Sequence, residues 1–312
     1  MLIKSADDKS KRLRLLDELQ KSDRLNDRQK KWLREEYWRM APGVAGEKDA
    51  AHYLDMTFGR ARNSSLLHDL RLEADGQVAQ IDHLLISRTF TFFLLETKSF
   101  RGSLHINDQG EFTVEYEDGR RYGIESPLEQ SRRHELVLRK VLDRLGIVGR
   151  IGTEPTFTHV VLVHPKAVIH RPPAKVFDTS MIIKADQYRT WFDSYIDRQG
   201  IIGTFAWALN FRGQETVTIW GERLKAEHRP TNQLDLPPFM KPKAPAPAVQ
   251  VADSTRAADI AVPAPVKNRA APLCVACGMN LTPKAVKYCQ DKAAWFGGKL
   301  YCFKHQAAAK QA

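Results

Sequence analysis

Asp82, Glu96 and Lys98 stand at the ends of two strongly apolar runs, Asp82-His83-Leu84-Leu85-Ile86-Ser87 and Thr89-Phe90-Thr91-Phe92-Phe93-Leu94-Leu95-Glu96-Thr97-Lys98. Runs this apolar predict buried central strands, where an unpaired carboxylate would cost several kcal/mol. Coordination of a cation removes that cost. Side chains alternate along a strand, so Glu96 and Lys98 share one face while Thr97 points away, and Asp82 needs only a neighbouring strand to meet them. Two acidic oxygens from adjacent strands suit a hard divalent cation, magnesium above all, which keeps waters free for a phosphate. A lysine beside such a cation can hold an attacking water or neutralise developing charge, which is the chemistry of phosphodiester hydrolysis. Taken alone, Glu-x-Lys is far more often a surface salt bridge at a strand end.

Two helices are expected to carry further polar groups to the same place. One follows Pro42 and Gly43, and its stripe of Glu47, Ala51, Leu54 and Phe58 opens on an acid that serves either the helix dipole or the site. The other begins at Ser126-Pro127, an N-cap followed by a proline at the first helical position, and turns Gln130, His134, Val137 and Val141 inward. Gln130 can bond a carboxylate or lysine near a metal, or simply backbone. His83 and His134 lie close to this set, but a histidine on an apolar face is more often a satisfied core residue than a phosphate contact. His134-Glu135 begins a zincin-like pattern that Leu138 breaks.

Gly46-Glu47, His68-Asp69-Leu70-Arg71-Leu72, Gln80-Ile81-Asp82-His83-Leu84-Leu85-Ile86, Leu95-Glu96-Thr97-Lys98-Ser99-Phe100-Arg101-Gly102 and Ser126-Pro127-Leu128-Glu129-Gln130 occur in this order. Together they resemble the NERD, or nuclease-related, domain over about residues 42 to 160. That family is similar to the PD-(D/E)xK nuclease superfamily. The resemblance implies an α/β, restriction-endonuclease-like fold, a mixed central sheet flanked by helices, and cleavage of DNA with Mg²⁺ or Mn²⁺. It also implies roles: Asp82, Glu96 and the Thr97 carbonyl as Mg²⁺ ligands, Lys98 on the water, Glu47 on a second metal or the first shell, and Gln130 behind them. Ile81 stands where the superfamily's name-giving proline would be, and removes no ligand.

All four cysteines fall near the end of the chain, in Cys274-Val275-Ala276-Cys277, Cys289 and Cys302-Phe303-Lys304-His305. Two knuckles, Cys-x2-Cys and Cys-x2-His, have the spacing of a structural zinc site, and Cys274, Cys277, Cys302 and His305 are the favoured ligands, with Cys289 an alternative to His305. Zinc would then supply folding energy that so short a module cannot draw from a core. Trp295, Phe296, Tyr301, Phe303 and nearby lysines either stack on bases or form the module's own small core. The charged N-terminus lacks an apolar leader and no apolar run could span a membrane, so a cytoplasmic protein without disulfides is expected.

The expected organisation is a basic helical extension over 1–41, a nuclease-type domain over 42–236 with its motifs in 42–160, an Ala/Pro-rich flexible linker over 237–272, and a zinc module over 273–312. A net charge of +11 fits a polyanionic partner, most simply DNA. Gly297-Gly298-Lys299 is no phosphate-binding loop, so ATP-driven translocation would come from a partner such as a helicase. Cutting both strands of a duplex would most simply use a homodimer. The competing function is a non-catalytic nucleic-acid-binding adaptor with a nuclease-like fold and a zinc module.

Overall fold

The computed structural model describes residues 1–100, 102–150, 153–240 and 272–309, which fall into two compact units, Met1–Ala244 and Pro245–Ala312. The expected linker lies almost wholly in 241–271, outside the described residues.

In the first unit a six-stranded mixed sheet runs in the order β1 (Leu2–Lys4), β2 (Ser64–Ala74), β3 (Gln77–Ser87), β4 (Thr91–Lys98), β8 (Thr156–Val163), β10 (Ile182–Lys184). The pairs β2/β3 and β3/β4 are antiparallel, and β1/β2, β4/β8 and β8/β10 are parallel. A second sheet has the order β7 (Arg121–Ile124), β6 (Phe112–Tyr116), β5 (Gly102–Ile106), β9 (Val168–His170). On one face of the main sheet, α3 (Pro127–Arg144) and α5 (Gln214–Ala226) bury Val137, Leu138, Val217, Trp220 and Leu224 against Phe92 and Leu94. On the other, α2 (Asp27–Phe58) and the start of α4 (Tyr188–Asn210) cover Phe93 and Leu95 with Leu54, Phe58 and Tyr188. Both faces of β4 are therefore apolar, and each fully buried Phe or Leu contributes about 1.5–3 kcal/mol of transfer free energy.

The helix expected to follow Pro42 and Gly43 begins earlier. α2 is capped by Asn26, whose side chain and that of Gln29 bond each other's backbone N–H groups, and it runs unbroken through Pro42. A proline removes one helical hydrogen bond, but packing on both sides of that turn carries the helix across it. Residues 1–41 pack into the same unit. Leu2–Lys4 forms an edge strand of the main sheet, and α1 (Ser10–Gln20) packs on α2 through Leu16 and Leu33. Met240, which composition assigns to the linker, is buried in the same cluster.

Two details of the fold bring charged residues to the sheet without placing them in a core. Asp75 and Gly76, both at positive φ, make the tight hairpin turn that fixes the register of β2 on β3. The ladder then pairs His68 with His83 and Leu70 with Ile81, passing over Asp69 and Asp82. At that point both strands change phase. Ala79, Ile81, Leu84 and Ile86 all enter one core, as do Leu67, Leu70 and Leu72, which strict alternation forbids. Asp69, at φ 50°, is where β2 makes the change.

The second detail is Gly46, where α2 touches the chain leaving β4: a Cβ there would lie 2.3 Å from Ser99 Cβ. Only glycine permits that approach, and Glu47 follows it. Gly46→Ala is expected to destabilise the unit by about 1–3 kcal/mol, the cost of overpacking, as a lower urea midpoint at unchanged m-value.

Candidate metal and nuclease site

At Asp82 the strands β3 and β4 part. Their ladder runs from Ile86/Phe92 to His83/Leu95, while β4 continues beside β8 through Lys98. Thr97 N–H, left without a strand partner on that side, donates to Asp82 Oδ2 at 2.8 Å. The gap opens into a cleft of about 620 Å³, lined by Trp38, Pro42 and Glu47 of α2, Gln80 and Asp82 of β3, Glu96 to Phe100, Tyr116, and Gln130 and His134 of α3.

Within it Lys98 Nζ donates to Glu96 Oε1 at 2.7 Å and to Gln130 Oε1 at 3.0 Å. His134 Nδ1 lies 3.9 Å from Glu96 Oε2. Asp82 and Glu96 are 8 % and 4 % exposed, so their charges sit in poor solvent. Burial, then the neighbouring Glu96 and Glu47, push the Asp82 carboxyl well above the usual carboxylate range against the pull of Thr97 N–H and Lys98. Burial likewise raises Glu96, which Lys98 only partly offsets, and Glu47, which Lys9 partly offsets. Burial, helped by Arg133 and Lys98, lowers His134 to about 4, so it is neutral near pH 7. Three acids, two of them bonded to lysines, are thus held at a cost round one cleft.

The five residues singled out in the sequence, Glu47, Asp82, Glu96, Lys98 and Gln130, thus line one cleft, together with Thr97. His83 does not line it. It is buried on the opposite face, where its Nε2 lies 3.0 Å from Thr97 Oγ1 and its Nδ1 2.7 Å from His68 Nδ1, and His68 Nε2 reaches Asp55 Oδ1 at 3.1 Å. Burial keeps both imidazoles below the ordinary histidine range, hence neutral, as a packed pair requires. Sequence reasoning missed Lys9, whose ammonium bonds both Glu47 and Asp69. An acid inside the apolar run of β2 was a signal for Asp69. Nothing local marks Lys9, because the fold brings it from 38 residues away.

Residues 42–169 match the family model of the nuclease-related domain, NERD. This stretch is a nuclease-related domain. No curated protein and no solved structure matches the chain. The NERD match spans α2 from Pro42 onward and reaches Ile169 on β9, so it contains all five cleft residues and Thr97, whereas β1, α1, β10, α4 and α5 lie outside it.

The second unit is built round Cys274, Cys277, Cys302 and His305, whose ligand atoms all lie within 4.8 Å of one another. Cys277 Sγ is 3.9 Å from Cys302 Sγ, close to the edge of about 3.8 Å of a tetrahedron with Zn–S bonds of about 2.3 Å. His305 Nδ1 is 3.3 Å from Cys302 Sγ and 3.7 Å from Cys274 Sγ. Burial opposes ionisation of Cys274, but the backbone N–H groups of Cys302, Ala276 and Cys277 bring it down to about 6, toward the thiolate that a metal needs. This set of three sulfurs and one nitrogen fits zinc. Cys289, on α6 (Pro283–Asp291), stands apart from it: its sulfur is buried and accepts from Tyr301 N–H at 3.4 Å and Gln306 Nε2 at 3.5 Å. Phe296 and Tyr301 pack inside the module, whereas Trp295 and Phe303 are exposed.

Full-length protein is expected to carry one zinc per chain at this set. Cys302→Ser should lose it and Cys289→Ala should keep it, read by metal analysis of the purified variants. Loss of zinc from the Cys289 variant would make that sulfur a ligand.

Proposed function

We propose that the chain is a metal-dependent nuclease that hydrolyses phosphodiester bonds in DNA, acting in repair, processing or defence against foreign DNA. The observation that carries the reading is the meeting of Asp82, Glu96, Lys98 and Gln130 in one cleft of a nuclease-related domain, with both carboxylates buried and raised. A binding scaffold has no need to bury charges in that arrangement.

A magnesium or manganese ion held by Asp82, Glu96 and the Thr97 carbonyl would supply charge neutralisation at the phosphate and an acidified water. The chain's own groups do the rest. Thr97 N–H holds Asp82 in place through one oxygen and leaves the other for the cation. Lys98, tethered by Glu96 and Gln130, lines the cleft, where it can orient the attacking water and offset charge on the phosphate. Gln130 fixes the lysine rather than the substrate, which makes it a positioning residue. Arg39, Trp38 and Tyr116 at the cleft, with the net charge of +11, favour a polyanion carrying stacked bases. Zinc at the C-terminal set would hold a second nucleic-acid contact tethered to the first unit, raising local substrate concentration. Free cysteines grouped as ligands suit a reducing compartment, which favours the cytoplasm.

The test is cleavage of linear, circular and single-stranded DNA by the purified protein with Mg²⁺ or Mn²⁺. Glu96→Gln and Lys98→Ala are expected to cut at least about 10²-fold more slowly while keeping their circular dichroism and most of their DNA affinity. Cutting unchanged in those variants would overturn the reading. Tight DNA binding with no cutting by the intact protein would favour the adaptor.

A further inference from the structure

Lys9 stands before α1, outside the residues that match the nuclease-related domain, yet its ammonium lies beside the cleft. It donates to Asp69 Oδ1 at 2.6 Å and to Glu47 Oε2, with side-chain exposures of 15 % for Lys9, 7 % for Asp69 and 24 % for Glu47. The segment bearing it is pinned. Asp7 N–H donates to Asp69 Oδ2 at 2.9 Å, Lys4 Nζ donates to the His68 carbonyl at 2.9 Å, and His228 Nε2 lies 3.2 Å from Asp7 Oδ2. Asp69 is the neighbour of Asp82 across the β2/β3 ladder, at the position where that ladder is passed over. Glu47 lines both the cleft and the adjoining cavity that Lys9 lines.

Asp82 of β3 and Glu96 of β4 thus line the cleft with Glu47 of α2, and Glu47 is tied through Lys9 to Asp69 of β2. Asp82 and Glu96 face the open cleft, while Glu47 and Asp69 share one ammonium. Among the described residues, the C-terminal cysteine and histidine set is the one group of three or more Cys, His, Asp or Glu side chains placed to hold a metal ion together. The cleft is a carboxylate pair with Lys98 bonded to one member, beside a second pair that shares one ammonium, not an open cage of four acids.

We infer that Lys9 is a built-in cation that occupies the second-metal position of this site, so that the cleft takes a single divalent ion at Asp82 and Glu96. Glu47 then serves as an anchor for Lys9 and not as a metal ligand. Burial opposes the charge on Lys9, but Glu47 and Asp69 hold its pKa above the usual lysine range. Removing the ammonium leaves a buried Asp69 and a half-buried Glu47 without the cation they share, an arrangement that a divalent cation with oxygen ligands would relieve. The inference rests on the reading of the cleft as a metal site, and the experiment separates the two.

Mn²⁺ bound by the zinc-loaded full-length chain would be counted by electron paramagnetic resonance. Wild type is expected to hold one ion that Asp82→Asn loses, Lys9→Ala to hold two, and the Lys9→Ala/Asp69→Asn double variant to return to one. Two ions in wild type, or one in Lys9→Ala, overturns the role of Lys9 while leaving the metal site standing. No ion in the wild-type cleft overturns the metal reading and this inference with it. If Lys9→Ala unfolds without metal, the inference requires Mn²⁺ to refold it with two ions bound, and failure to refold contradicts it.

Discussion

Like charges gathered in poor solvent are the constraint round which this molecule is arranged. Asp82 and Glu96 lie at the end of a sheet whose strands are apolar on both faces, and each carboxylate raises the cost of ionising the other. The fold answers in three ways. Strands β3 and β4 separate so that Asp82 can accept Thr97 N–H, α3 brings Gln130 to hold Lys98 against Glu96, and the N-terminal segment delivers Lys9 to Glu47 and Asp69. What these contacts leave under-compensated is the buried Asp82 and Glu96 pair lining the cleft, with Lys98 bonded to Glu96 alone.

The same constraint explains local features that would otherwise look like defects. Two strands that change phase together, with an aspartate at positive φ, lose one ladder pair and gain acids directed into neither core. The buried His68/His83 pair on the opposite face is neutral and bonded to Thr97, so it supports the backbone whose N–H holds Asp82. Gly46 lets α2 come close enough for Glu47 to reach the cleft. Sequence, local geometry and packing agree here, and the departures from ideal strand pattern fall where the charges are.

Much of this was legible in the sequence. Apolar runs ended by Asp82 and Glu96, the Ser126-Pro127 cap and the two knuckles each have a local physical cause, and local causes can be read from neighbours in the chain. The closing of Cys274, Cys277, Cys302 and His305 without Cys289 follows the paired-knuckle spacing for the same reason. Long-range causes were not legible. A helix running through Pro42 depends on packing that offsets a lost hydrogen bond, β1 joins the sheet as a three-residue strand with no pattern of its own, and Lys9 meets Asp69 across sixty residues of chain. Met240 looked like linker because its neighbours are prolines, whereas Leu16 and Leu33 decide its place.

The central claim is that Asp82 and Glu96 are kept buried for a divalent cation and not for a salt bridge with Lys98. Calorimetric unfolding of the zinc-loaded chain, with and without Mg²⁺, tests it most directly, comparing wild type with Asp82→Asn, whose amide oxygen can still accept Thr97 N–H. Mg²⁺ should raise the wild-type melting temperature, since a ligand at a hundred times its Kd adds about 2.7 kcal/mol. Asp82→Asn should melt higher than wild type without Mg²⁺ and respond little to it. A wild type indifferent to Mg²⁺ and Mn²⁺, with Asp82→Asn less stable in their absence, would contradict the claim and leave the acids as structural partners of Lys98.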